Sequence, residues 1–173
     1  MNKRPVILTI LAILHVAGGA LAFIAIPILV VVYQYKKEEA PENFSSIVFL
    51  LLVSILLLAI LALVSGIGML RRKKWGWWVG VLYSIYGIVR NVSALITMSG
   101  FGADFEEPPK GMEYYYFKHS FRVLVYALIV LYFFRGSVLE YFGLKQQSKT
   151  KAVIILFTIA LIFWGGLAAT QLI

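Results

Sequence analysis

Two arginines and a histidine stand inside otherwise apolar stretches of this chain: Arg90 in the run 75–98, Arg122 and His119 in the run 114–134. A charge at the centre of a membrane helix costs about 2.5–3.5 kcal/mol on insertion scales, so each such residue asks for a partner or a use. Tyr83, Tyr86 and Arg90 recur at spacings of three and four, as do Tyr115, His119, Arg122 and Tyr126. Each set therefore lies on one face of a helix. If the two faces meet, they line a pocket with guanidinium, imidazole and phenol groups, and its chemistry is recognition of an anion or a lipid headgroup. Arg90 follows Lys74 by 16 residues, roughly 24 Å of helix, which puts the pocket in the outer half of a membrane.

Carboxylates to pair with the arginines lie next door, at Asp104, Glu106, Glu107 and Glu113, in a segment shaped by Gly100, Gly102, Pro108, Pro109 and Gly111. A bidentate arginine–carboxylate pair would let that segment act as a lid over the pocket. The plainer alternative is structural pairing, or snorkelling of each arginine to headgroup phosphates. His15 stands near the expected midplane of the first apolar run, where a lone histidine is expected to donate to a neighbouring helix. A haem would need a second histidine at the same depth, and His119 is expected far from it, so no cofactor is expected. The chain has no cysteine, no zinc-protease motif, no nucleophile elbow, no phosphate loop and no metal-spaced cluster of acids. No metal ligand set, no catalytic residue and no enzymatic activity is expected.

The elements that position these residues follow from composition. Of 173 residues 61% are apolar and 14% charged, with a mean hydropathy of +0.89, against roughly 45–50% and about 25% in an ordinary soluble domain. That excess cannot be buried in so small a globule. A soluble enzyme, a nucleic-acid-binding domain and a disulfide scaffold are excluded on this ground. Five runs reach the roughly 20 apolar residues that a hydrocarbon core demands: 5–33, 46–70, 75–98, 114–134 and 152–172. The fourth must extend back through Arg122, His119 and Lys118 to be long enough. The first run is about twice the length of a cleavable signal core and is expected to be retained. The expected fold is all-α, a single transmembrane domain over 1–173: a bundle of five membrane helices with a short interfacial helix.

Charge sets the orientation. Lys3 and Arg4, then Arg71 to Lys74, then Arg135, Lys145, Lys149 and Lys151 flank alternate ends of the runs, ten of the sixteen basic residues. The positive-inside rule places these ends and the N-terminus in the cytoplasm and the C-terminus outside. Most of the net charge of +8 is thus topological, and no nucleic-acid partner is expected. Expected partners are the bilayer with its anionic lipids, and another membrane protein or a second copy of the chain.

Small residues mark the faces that pack, because helices associate in lipid by close backbone approach. Gly76, Gly80, Ser84, Gly87, Asn91 and Ala94 draw one stripe down the third run, which predicts a central helix. The first run repeats the device with Gly18, Ala22 and Ala25 on the face of His15, the second with Ala59, Ala62 and Gly66, and the fifth with Gly165 and Gly166. Pro27 is expected to bend or end the first helix. Ser137 to Glu140 matches a capping box, so a short helix is expected at headgroup level, with Arg135 and Lys145 near anionic lipid. Trp75, Trp77 and Trp78 are expected to form an aromatic belt.

The segment Gly66 to Trp78, GIGMLRRKKWGWW, resembles the hairpin turn of many small multi-spanning bacterial inner-membrane proteins, and Tyr132 to Gly143 is similar to a recurrent end of such proteins. The resemblance covers about 25 of the 173 residues and implies a bacterial plasma membrane, without an activity or a site to carry over. The function expected is that of a non-catalytic accessory or assembly subunit. The alternative is a small transporter or binder of an anionic or lipid substrate that uses the arginine and tyrosine pocket.

Overall fold

Backbone polar groups in lipid have no partner but each other, and a long apolar run satisfies them locally only as a helix. A computed structural model describes residues 5–36, 44–99, 111–146 and 148–169, and every element among them is helical. The order is α1 (Val6–Lys36), α2 (Phe44–Leu70), α3 (Lys74–Ser99), α4 (Met112–Phe133), α5 (Gly136–Tyr141) and α6 (Lys149–Ala169). Four of them are long and apolar enough to cross a membrane, over Val6–Tyr35, Leu52–Leu70, Lys74–Ser99 and Met112–Phe133. The fifth expected run coincides with α6, and its last residues, 170–172, lie outside the described ones. Pro27 neither ends nor divides α1, which continues as helix to Lys36.

α3 is the centre of the molecule. It packs against α2, α4 and α6, while α1 lies along α2. The expected stripe is buried in full from Gly76 through Gly80, Ser84 and Gly87 to Asn91, with Ala94 half-buried. The tightest approach is between α2 and α3, where a Cβ added to Gly68 would lie 2.5 Å from the Cα of Gly76. No side chain fits between these two backbones, so the hairpin depends on both glycines.

The packed interior is weighted toward one end. Its residues are Leu8, Ala12, His15 and Gly19 from α1, Ala59 to Met69 in the second half of α2, and Gly76 to Asn91 in α3. α4 contributes Phe133 at its last turn, and α6 contributes Ala152, Leu156 and Ala160. Most belong to the part of the bundle nearer the α2–α3 turn and α5, and Gly87, Val89 and Asn91 carry the packing past the middle of α3. The outward faces are hydrocarbon: Phe117 is 71% exposed, Ile162 70% and Leu21 66%. A surface of this kind is incompatible with water and suited to lipid.

Several local expectations are corrected. In α1 the close-packing glycine is Gly19, where an added Cβ would lie 2.9 Å from the Ala59 carbonyl oxygen, whereas Gly18 has open space. The reason is register: the buried stripe runs through residues 8, 12, 15 and 19, one residue away from Gly18. Ala22 is half-buried. In α6 the contact face is Ala152, Leu156 and Ala160, while Gly165 meets nothing.

α5 begins two residues earlier than the capping box implies. Arg135 is its N-cap, without a side-chain cap, and its carbonyl accepts from the Val138 and Leu139 amides at 3.0 Å. Val138, Leu139, Tyr141, Phe142 and Leu144 are buried in the core, so α5 is a plug rather than a raft on the headgroups. Of the three tryptophans only Trp75 is exposed; Trp77 is fully buried and its indole N–H donates to the Phe133 carbonyl at 2.9 Å. A buried indole needs such an acceptor.

Candidate functional site

The antiparallel contact of α3 with α4 brings most of the expected polar residues to one seam. Asn91 is 1% exposed, and its amide nitrogen donates to the Gly87 carbonyl at 2.7 Å. That bond turns the amide oxygen toward α4, where it accepts from Nδ1 of His119 at 2.8 Å. The network assigns the neutral imidazole its proton on Nδ1 and leaves Nε2 as the free lone pair. A hydrogen bond across two helices, both ends of which are fixed, sets the register of α3 on α4 at this level.

Three cations surround the pair. Arg90 precedes Asn91, Lys118 precedes His119 and Arg122 follows one turn on; the positive fields of all three reach the imidazole. Arg90 and Arg122 are exposed, and among the described residues neither has a carboxylate within ion-pair distance. Lys118 lies 5.6 Å from the ring centre of Tyr115 and 6.0 Å from that of Tyr114, within cation–π range. Asp104, Glu106 and Glu107, the expected lid, lie outside the described residues; Glu113 is exposed.

Below this level the phenols continue the seam inward. Tyr126 packs on Gly87, where an added Cβ would meet its ring at 2.8 Å. The Tyr126 ring faces that of Tyr83 at 6.5 Å, and Tyr83 in turn meets His15 edge-on at 4.9 Å. Tyr83 is thus the bridge between α1 and α4. Tyr86 is 6% exposed and belongs to the apolar core rather than to an open face. His15 does not donate to another helix through Nδ1, which instead donates to the Leu11 carbonyl of its own α1 at 2.7 Å. Its Nε2 is buried without a hydrogen-bond partner among the described residues.

The structure therefore joins Arg90, His119, Arg122 and, deeper, Tyr83 and Tyr126, while Tyr86 is buried in the core within reach of the Arg90 field. Asn91, placed by its spacing in the packing stripe, is the residue that anchors the site. The signal was available: a carboxamide on a buried helix face in lipid must find a partner. The arrangement offers convergent positive charge and N–H donors, which can hold an anion. Among the described residues no group of three or more His, Asp or Glu is placed to hold a metal ion.

The class that fold and site define is an all-helical protein with four helices fit to cross a membrane. Comparison with known protein families, with curated proteins and with solved structures finds no match in any of the three.

Proposed function

We propose that the chain is a non-catalytic integral membrane protein of the bacterial plasma membrane, an accessory or assembly subunit that completes itself against a partner helix. The observation that carries this reading is the core weighted toward one end. Among the described residues α1 buries nothing beyond Gly19, α3 nothing beyond Asn91 and α4 nothing before Phe133. Gly18 adds an unfilled notch on the outward face of α1. Purification in mild detergent tests the proposal: a stoichiometric membrane partner or a homo-oligomer is expected, and a stable monomer with nothing bound overturns it.

The orientation belongs to the same proposal: five crossings, with the N-terminus inside and the C-terminus outside. The bond from Arg72 to the Tyr141 carbonyl supports it, because it ties the two most basic loops to one end of the bundle. The chain has no cysteine, so single cysteines introduced at Lys145 and Ile173 report sidedness without background. An impermeant reagent applied to intact cells is expected to label position 173 and spare position 145.

A second reading is favoured by the Asn91–His119 pair and its three cations: a site that binds an anion or a lipid phosphate in the outer half. Mass spectrometry of the detergent-extracted protein should then find a retained anion or lipid that Arg90→Leu with Arg122→Leu releases. Retention unchanged by the double substitution refutes this site.

A further inference from the structure

The opposite end of the bundle carries a second cationic group, built from segments some 70 residues apart. We propose that Arg71, Lys73 and Lys74 of the α2–α3 turn and Lys145 beyond α5 form a cradle for the phosphate headgroup of an anionic phospholipid. The proposal rests on the membrane reading above and names one lipid class and one set of residues within it.

Geometry brings the two segments together. Arg72 donates from Nε to the Tyr141 carbonyl, and its guanidinium lies 5.1 Å from the centre of the Tyr141 ring. Tyr141 returns a long bond from its hydroxyl to the Met69 carbonyl at 3.5 Å. Lys74 then passes over Gly143, with its Cε 3.7 Å from the point a Cβ there would occupy. Lys145 follows two residues later. Arg72 is thus the rivet that brings the turn carrying Arg71, Lys73 and Lys74 beside the segment that carries Lys145.

Charge gives the cradle its occupant. Residues 71 to 74 and Lys145 are all exposed, and the one acid in these segments, Glu140, forms no ion pair with them among the described residues. Like charges held together this way repel, and a bound anion relieves the repulsion. Trp75, 43% exposed on the first turn of α3, sets the level as that of the headgroups. The turns leading from these loops toward the membrane interior expose Ile67 and Ile154, so an anion with acyl chains gains contacts that a free anion lacks. The bound lipid bridges the α2–α3 hairpin to the α5–α6 linker and favours the leaflet rich in anionic lipid.

The test is a lipid count by native mass spectrometry. Delipidated protein in mild detergent is titrated with phosphatidylglycerol or with phosphatidylcholine. Preferential binding of phosphatidylglycerol is expected. Each cation removed is expected to weaken it by about fivefold, so Arg71→Gln, Lys73→Gln and Lys74→Gln together lose roughly a hundredfold. These side chains are exposed and Arg72 is kept, so an unchanged thermal midpoint verifies the fold of the triple variant; Lys145→Gln alone supplies a milder step of about fivefold. Equal retention of the two lipids, parent-level binding by the triple variant, or displacement of phosphatidylglycerol by inorganic phosphate at equal concentration overturns the cradle. Cysteine labelling at position 145 reports on orientation separately, so an inverted topology is told apart from a failed lipid site.

Discussion

Arg72 occupies a backbone conformation that normally belongs to glycine, and this makes it the sharpest place to test how the basic end of the bundle is held. α2 ends with the Lys73 amide bonded to the Gly68 carbonyl at 2.9 Å and the Arg72 amide to the Met69 carbonyl at 3.3 Å. This Schellman-type end requires a left-handed residue, and Arg72 supplies it with φ of 55°. At the matching position after α5 the left-handed residue is Gly143, with φ of 68°. A side chain in that conformation costs about 1–2 kcal/mol. Against this stand a charge-assisted hydrogen bond to Tyr141, about 1.5–3 kcal/mol, and a cation–π contact of about 0.5–1 kcal/mol at an exposed site.

Because the guanidinium is exposed, the lower ends of these ranges apply, about 2 kcal/mol in total against about 1 kcal/mol of strain. Arg72→Gly removes both and is expected to destabilise by about 1 kcal/mol, whereas Arg72→Ala loses the tether, keeps the strain and costs about 2 kcal/mol. Thermal unfolding followed by tryptophan fluorescence should lower the midpoint by about 2–4 °C for glycine and about twice that for alanine. A glycine variant more stable than the parent would show that the tether contributes less than the strain. Equal midpoints for the two variants would refute the left-handed backbone itself.

Trp77→Phe leaves the Phe133 carbonyl without its indole donor in a buried site, so a loss of about 1–3 kcal/mol is expected, read from the same unfolding curves. Asn91→Leu removes the acceptor of His119 and should cost about 1 kcal/mol, with His119 losing its fixed tautomer in imidazole nitrogen NMR. A parent-like spectrum would show that the pair does not form. Gly19→Leu is expected to separate α1 from α2 and abolish stable expression, while Gly18→Leu leaves the monomer fold intact and weakens association with a partner. Identical behaviour of the two leucine variants in stability and in oligomer size argues against the register described for α1.

The central role of α3 was legible because small residues at every fourth position are rare in an aliphatic sequence and have one mechanical use, backbone approach. The packing face of α6 was not, since Ala152, Leu156 and Ala160 carry no contrast against neighbours of similar type, and Gly165, which drew attention instead, has open space around it. Gly18 and Gly19 show the limit of adjacent candidates: two neighbouring glycines differ by 100° around a helix, and only the partner helix selects one. The Asn91–His119 bond needed the relative register of two helices, which spacing within each helix does not contain. His15 was expected to reach outward, yet a carbonyl four residues earlier is always within its range in a helix, and the local bond prevailed. Arg72 in a glycine conformation leaves no trace in residue type at all.

The two ends of the bundle are built on opposite principles. At the basic end Gly68 touches Gly76, Trp77 is bonded to the Phe133 carbonyl, α5 fills the space between, and Arg72 closes the loops together. Each contact is specific in direction, so this half is expected to move as one piece. Beyond Asn91 no described residue of α3 is buried, and α4 buries nothing before Phe133. There the hydrogen bond between Asn91 and His119 is a directional link between the two helices, and exposed arginines stand beside it. A protein that had to bind or dock without disturbing its own anchorage would place the change where few internal contacts need to break. That is the region in which Arg90 and Arg122 lie, so the proposed partner docking and the proposed anion binding fall on the same surface, away from the basic loops, rather than at opposite ends of the bundle.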